Sequence, residues 1–600
     1  MSISLPLAVA AILISSLGPG FFLLRRVEMS AEERITASVG LSLLLIYLSC
    51  FLIFLLRLPI ALYNGILVLA AGLLLVSGRD LIRFLENQEA RRLLLGFGVL
   101  AVWSLALLSL IRTYSGDNWY GDWLEHYQRS LFFLDRPDPS IHFQGDYKVP
   151  ARPPFMNVLC GYFMVIAGRE YPVYQLISTI LSILIFFPAR LLIRYFSPSR
   201  RASPMVLVAF LMFNPLVVQN STYSWTKLLA VFYVLAGVSF YLRGWHQKEG
   251  RWTLAAFASL SCGLLAHYSA GPYTVFLAGH YLLFVFPSRK SKWIEISAIF
   301  LVVLLILVGW FGYSFTTFGK GTVTSTTSYF EAASLTGGQN VAKIFGNIRD
   351  SFVPHLMRGV GTVALGPGLF WGALRDAAFK LYQFNLLFAL GSIGAVLLAF
   401  AVYQASRDDL RLSSRDRWFW LALPAVCVVV GIGVQGERYN LGLTHITLQP
   451  LAILGVAFLA ARFCHWPRSV RWMAVGGLMV DFLLGIALHF KFQTLTFGER
   501  LAGQSSWGIT SKDLLVGSAW ANWKLKRAQG LVYLGDLWVG WGWVLWSVLV
   551  AICAVGLFVL AREAANRPQM PDAARGDSPR AAPKGRAPRA GRKNRQRTRR

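Results

Sequence analysis

Long runs of apolar residues recur along this 600-residue chain, and they constrain its fold more than any other feature. Many runs hold roughly 18 or more residues with almost no charge, the length at which a helix crosses the hydrocarbon core of a bilayer. Only 14% of the residues are charged, whereas globular domains carry about a quarter. The chain is therefore predicted to be an all-α polytopic membrane protein.

We predict a bundle of about fifteen transmembrane helices. They cover approximately residues 3–24, 37–56, 59–77, 93–111, 172–193, 203–220, 226–242, 253–268, 271–287, 293–313, 383–404, 418–435, 443–461, 472–490 and 537–561. The first segment lacks the basic region that opens a secretory signal peptide, and it is long enough to span. We therefore interpret it as a retained helix.

The charge pattern predicts the orientation of the chain. If fifteen spans alternate, the basic connections fall on one side: 25–26, 79–92, 190–201, 243–251, 289–292, 407–417, 462–471 and the tail from 562. Basic connections stay in the cytoplasm, so we expect a multi-pass inner-membrane protein with an external N-terminus and a cytoplasmic tail. The tail holds thirteen basic and three acidic residues, and we expect it to be disordered and to contact anionic lipids. No nucleic acid partner is expected.

Four regions follow from this topology. Residues 1–92 are predicted to be additional N-terminal transmembrane helices, and residues 93–490 the transmembrane catalytic core, with external loops 112–171 and 314–382 carrying short amphipathic helices. Residues 491–561 are predicted to form a further external loop and the last span, and residues 562–600 the basic tail.

Three carboxylates lie in the first external loop: Asp117, Asp122 and Glu125. From Asp122 the spacing predicts a short helix on the membrane surface, with Asp122, Glu125, His126 and Arg129 on one face, turned toward a cavity. Two interpretations stay open. The carboxylates could carry chemistry, or Asp122 and Glu125 could cap the helix while Glu125 pairs with Arg129.

Several motifs resemble the GT-C superfamily of glycosyltransferases. Asp122-Trp-Leu-Glu-His-Tyr is followed by Arg152-Pro-Pro-Phe-Met-Asn, Trp225-Thr-Lys-Leu-Leu, Gly263-Leu-Leu-Ala-His-Tyr and Arg438-Tyr-Asn before Gln449-Pro. The series is similar to protein O-mannosyltransferases, aminoarabinose transferases and galacturonosyltransferase-like bacterial enzymes, over roughly residues 93–460. The family often places its acidic loop after the first span and shows adjacent Asp-Glu; here more spans precede the loop, and the acids are spaced.

The resemblance implies inverting transfer of a sugar from a polyprenyl-phosphate donor to an envelope glycan, lipid or protein at the periplasmic face. Such a reaction needs a general base for the acceptor hydroxyl and positive charge for the leaving phosphate. Asp122 is the predicted base, with Glu125 or Asp117 as the alternative, and these three could also hold a divalent cation such as Mg²⁺ or Mn²⁺. The predicted contacts to the donor phosphate or sugar are Arg152, Lys227, His267, Tyr268, Arg438 and Tyr439.

Other interpretations remain open. Lys227 could snorkel toward headgroups, His267 and Tyr268 could be a packed pair, and Arg438 could pair with Glu437. Two other functions compete. A transporter or flippase for lipid-linked glycans would keep ionisable residues at mid-membrane depth, where Asp481 is a candidate. A glycan ligase or polymerase would carry a basic late external loop, which the 491–536 segment could provide.

Overall fold

A computed structural model describes residues 4–111, 114, 122–143, 147–197, 203–325, 336–354, 381–383, 385–407, 414–434, 444–487 and 530–565. The first half contains helices α1 Ser4–Leu24, α2 Ala31–Leu55, α3 Leu62–Val76, α4 Gly78–Glu86, α5 Gln88–Leu110, α6 Asp122–Asp135, α7 Phe155–Ala167, α8 Tyr171–Ile183, α9 Phe186–Phe196, α10 Pro204–Phe213, α11 Pro215–Thr222, α12 Lys227–Gln247 and α13 Gly250–Ala266. The second half contains α14 Gly271–His280, α15 Lys292–Ser325, α16 Gly337–Phe352, α17 Gly394–Arg407, α18 Ser414–Val434, α19 Thr444–Phe463, α20 Arg468–Ile486 and α21 Gly542–Ala565.

Short elements connect these helices. Strands β1 His142–Phe143 and β2 Tyr147–Lys148 form an antiparallel pair, in which His142 faces Lys148. Single 3-10 turns cover Val149–Ala151, Tyr268–Ala270 and Phe286–Ser288, and a π-helical turn covers Tyr281–Val285. A longer 3-10 segment, Leu534–Trp541, leads into α21.

The predicted polytopic helical class is confirmed. Within the described ranges, ten helices are long and apolar enough to cross a membrane, or up to twelve if each of two bent pairs, α3 with α4 and α10 with α11, forms one span. The other predicted spans correspond to α13, α17 and α19, of which α13 has 17 residues and α17 has 14. The count of fifteen therefore stays a prediction.

The core of the bundle is built on α8 and α12. All thirteen residues of α8 are buried, including its polar side chains, and α12, which is apolar on nearly every side, is buried along nearly its whole length. Helix α12 packs against α13, α9 and α19. Helices α1 and α2 pack against α7, and the Ser15 and Tyr162 hydroxyls lie 3.0 Å apart across that contact. The division predicted at residue 92 stays a prediction.

Arginines of two of the predicted basic connections lie at one end of the bundle. Arg190 pairs with Glu32 at 3.0 Å, and Glu33 pairs with both Arg194 and Arg243. These contacts join the beginning of α2 to α9 and to the end of α12. The beginning of α6, the turn after β2 and the beginning of α12 meet at the opposite end of α12, and the predicted site residues that the structure describes lie there.

Candidate active site

The predicted surface helix is present as α6, which begins at Asp122. Its predicted polar face is confirmed: Asp122, Glu125, His126 and Arg129 follow three- and four-residue spacing and are each at most 5% exposed. Its predicted location on the membrane surface stays a prediction. The opposite face is also buried in protein, because α6 packs against α7, an apolar helix too short to span that lies within the predicted loop.

A close contact between α6 and α7 fixes the orientation of the polar face. A Cβ on Gly161 would lie 3.3 Å from Leu134 Cδ2 and 3.3 Å from the Ser130 carbonyl oxygen. Because glycine has no side chain, the backbone of α6 can lie directly on α7 here. The contact holds the acidic face of α6 toward the beginning of α12.

Asp122 is a buried carboxylate with both negatively and positively charged side chains around it. Its Oδ2 accepts a hydrogen bond of 3.0 Å from the indole Nε1 of Trp225, which is 103 positions later in the chain. Burial and the negative charge of Glu125 raise the pKa of Asp122 to about 6, against the opposing effects of Arg152 and Lys227. Asp122 is therefore close to its titration point at neutral pH, as a general base requires.

Lys227 is a buried cation at the first residue of α12. Its Nζ lies 3.6 Å from the centre of the Trp225 ring, and the residue is 5% exposed. A snorkelling lysine keeps its ammonium in water, so the structure does not support that interpretation. Trp225 contacts both candidates: its N–H binds Asp122, and its ring face holds Lys227.

Glu125 is held by two arginines. Its Oε1 accepts a 2.7 Å hydrogen bond from Arg129 Nε and lies 3.7 Å from Arg152 Nε. Burial by itself would raise the pKa of Glu125, but Arg129 and Arg152 hold it below its usual value. The predicted pairing of Glu125 with Arg129 is therefore present. Glu125 is a weaker candidate for the base than Asp122, because its negative charge is already stabilised.

Arg129 also fixes the segment that carries Arg152. It donates hydrogen bonds of 2.9 and 2.7 Å to the carbonyl oxygens of Lys148 and Val149, and its guanidinium lies 4.4 Å from the centre of the Phe143 ring. Arg152 follows this turn directly and keeps 22% of its side chain exposed. A partly exposed guanidinium beside two carboxylates can contact an anionic ligand.

Tyr268 and His267 occupy the edge of the site. The Tyr268 hydroxyl donates to the Pro150 carbonyl at 3.4 Å and accepts from Trp310 Nε1 at 3.5 Å, and it interacts electrostatically with Arg129 and Arg152. His267 Nδ1 accepts from the Ser269 amide at 3.1 Å and so caps the turn that carries Tyr268. Tyr268 contacts the turn that precedes Arg152, and His267 stabilises the turn that carries Tyr268.

Three predicted site residues, Asp117, Arg438 and Tyr439, lie outside the described residues. Within the described parts of the chain, no three His, Cys, Asp or Glu side chains come together as metal ligands. One oxygen of Asp122 binds Trp225 and one oxygen of Glu125 binds Arg129. A divalent cation would therefore depend on the third acid, Asp117, and stays a prediction.

Two residues with contacts in this site were not among the predicted site residues. Trp225 carries a visible signal, an aromatic residue two positions before a lysine at the beginning of a span. His126 is 3% exposed, and among the described residues its Nδ1 has no hydrogen-bond partner. Burial lowers the pKa of His126 to about 3, so its imidazole is neutral. Helical spacing predicted that His126 lies on the polar face of α6, but spacing could not show whether its side chain lies in the site.

Among the solved structures similar to this chain are two of one protein. No family model matches the chain, and no curated protein matches it significantly. Both structures are of ArnT from Cupriavidus metallidurans, in the apo state (13% identity, TM-score 0.39, 79% of this chain and 77% of that one) and bound to undecaprenyl phosphate (14%, 0.41, 79% and 78%). Both identities and both TM-scores are low. Each similarity covers about four fifths of this chain.

Proposed function

We propose that this protein transfers a sugar from a polyprenyl-phosphate donor to an acceptor hydroxyl, with Asp122 as the general base. The observation that carries the proposal is the arrangement around Trp225. A buried carboxylate with a pKa of about 6 and a buried ammonium lie on the edge and the face of the same indole ring. Base and phosphate-binding cation are the two groups that such a transfer needs.

The reaction balances with groups of this chain. The acceptor hydroxyl gives its proton to the Asp122 carboxylate, and its oxygen attacks the anomeric carbon of the sugar. The bond from that carbon to the phosphate oxygen breaks, and the polyprenyl phosphate leaves with the electron pair. Lys227 and Arg152 stabilise its negative charge. Attack on the face opposite the leaving group inverts the anomeric configuration.

The orientation of the site follows the distribution of basic residues. The ion-paired end of the bundle carries the Arg-rich connections, which stay in the cytoplasm. We place the Asp122 site at the periplasmic face of the inner membrane, where the acceptor is an envelope glycan, lipid or protein. Positive charge at the site comes from Lys227 and Arg152, so the mechanism has no step through a metal ion.

The local environment of Asp481 weighs against a transporter or flippase. Its Oδ1 accepts a 2.7 Å hydrogen bond from the Ser392 amide. The preceding Gly391 has a φ of +103°, and a Cβ there would lie 2.2 Å from Asp481 Oδ2. Asp481 therefore supports a tight turn between helices. The basic loop expected of a ligase or polymerase lies mainly outside the described residues.

The test is sugar transfer by Asp122→Asn, measured in proteoliposomes with a panel of radiolabelled polyprenyl-phosphate sugars. General bases contribute about 10²–10⁴-fold, so we expect a loss of at least about 100-fold. Asp135→Asn is the matched control, because Asp135 ends the same helix in an exposed pair with Arg169. Asp122→Asn protein that keeps wild-type transfer would show that another group is the base.

A further inference from the structure

The end of the bundle opposite the Asp122 site contains a charged cavity of about 480 Å³. Arg190, Arg194 and Arg243 line it together with Glu32 and Glu33. Arg190 and Arg194 come from α9, Arg243 comes from near the end of α12, and the two glutamates come from the first turn of α2. Arg243 is sixteen residues along α12 from Lys227, so the two sites are about 24 Å apart along the helix.

An apolar groove of about 270 Å³ begins beside this cavity. Helix α12 forms its floor from Phe240 to Phe232, so the groove extends about 12 Å into the membrane-spanning part of the bundle. Small residues keep it open, among them Ala37, Gly40 and Ala258. Its lining is almost entirely apolar, so its complement is a hydrocarbon chain.

The two spaces adjoin. Met29 lines the groove, and the next residue, Ser30, lines the charged cavity. The guanidinium of Arg243, a residue of the cavity, lies 3.9 Å from the centre of the ring of Trp252, a residue of the groove. A polar space that adjoins an apolar one is the shape of an amphiphile, with the headgroup at the end of the spans and the chain along them.

The charges of the cavity select the headgroup. Arg194 and Arg243 converge on Glu33 and keep part of their side chains exposed. Glu89 lies exposed at the rim, and among the described residues it forms no ion pair. A headgroup with a phosphate and an ammonium complements both signs. A purely anionic headgroup would meet the carboxylates without compensation.

From this geometry we infer that the cavity and the groove together bind a zwitterionic phospholipid, whose phosphate faces Arg194 and Arg243 and whose ammonium faces Glu89. One acyl chain lies in the groove between α2, α12 and α13. The site is separate from the Asp122 site, and the lipid bound there is a structural ligand that joins α2 to α12.

The experiment measures binding of phosphatidylethanolamine and phosphatidylglycerol with identical acyl chains to the delipidated full-length protein, by native mass spectrometry. We expect phosphatidylethanolamine to bind about fivefold more tightly, the size of one exposed ion pair. Glu89→Gln should remove this preference. Glu86→Gln should keep it, because Glu86 is a neighbouring exposed carboxylate that does not line the cavity.

The groove is tested by filling it. Ala258→Leu should weaken both lipids at least about fivefold, because a buried chain loses apolar contact. Ala101→Leu should change neither, because Ala101 is a partly exposed alanine of α5 outside the groove. Ala37→Leu replaces Ala258→Leu if that variant does not fold. Equal binding of the two lipids by wild type, unchanged binding by the filled variants, or displacement of the lipid from this site by polyprenyl phosphate would each overturn the proposal.

Discussion

Asp122 combines burial with charged neighbours of both signs, and its pKa of about 6 has a direct kinetic consequence. The base acts only when it is deprotonated. We therefore expect kcat/KM to fall about tenfold for each pH unit below 6. The measurement is a pH profile of transfer in proteoliposomes. A flat profile down to pH 5 would contradict Asp122 as the base.

Trp225 joins the carboxylate to the ammonium, and two substitutions separate its contacts. Trp225→Phe keeps the ring under Lys227 but loses the N–H that lowers the pKa of Asp122, so its pH profile should move to higher pH. Trp225→Leu also loses the cation–π contact, worth up to about 2 kcal/mol when desolvated, so KM for the donor should rise up to about 30-fold. Identical kinetics for the two variants would show that Trp225 is only a packing residue.

Glu125 and Arg129 form a buried pair, and we expect this pair to stabilise the fold rather than to act on the substrate. Removing one partner of such a pair costs about 3–5 kcal/mol, because the other charge is left uncompensated. We expect Arg129→Met to destabilise the protein strongly and the Glu125→Gln/Arg129→Met double variant to be more stable than Arg129→Met alone. Thermal unfolding in detergent measures both. Glu125→Gln alone should retain more transfer activity than Asp122→Asn; the reverse order would make Glu125 the base.

At the scale of elements, the contact of α6 with α7 controls the site. Gly161→Leu would force the helices apart, because even a Cβ lies 3.3 Å from the Ser130 carbonyl oxygen. Overpacking of this kind costs about 1–3 kcal/mol, and it should lower transfer activity by displacing Asp122 from Trp225. Gly98→Leu is the control, because nothing lies within 4 Å of a Cβ at Gly98. Equal activity of the two variants would show that α6 does not depend on this contact.

The packing of α6 on α7 could not be predicted from the sequence, although α6 itself could. Periodicity predicted α6 and its polar face, because three- and four-residue spacing is a local property of the chain. It did not predict that α7 would bury the opposite face. The packing of α6 on α7 depends on Gly161, which is 39 positions after Asp122. A single sequence does not show which helices become neighbours.

At the scale of the whole molecule, the ends of the bundle differ in charge, and this difference predicts the orientation. Cysteines introduced at exposed Ser140, in the first predicted external loop, and at exposed Lys248, after α12, should label differently. An impermeant maleimide should label Ser140→Cys in intact spheroplasts and Lys248→Cys only after permeabilisation. The six native cysteines are buried or partly buried, so they contribute a low background. The opposite labelling pattern would invert the proposed topology.

The apolar segments of the sequence are enough to show that this protein folds as helices in a lipid bilayer. Apolar segments long enough to span require helices, because unpaired backbone groups are costly in hydrocarbon, and the distribution of arginine and lysine predicts their orientation. Tertiary structure decided the site. Asp122, Arg152 and Lys227 come from three elements, and the hydrogen bond between Asp122 and Trp225 crosses 103 positions. Electrostatic and hydrogen-bond contacts act through space, so packing alone determined that Asp122 adjoins two cations while Glu125 is neutralised by arginine.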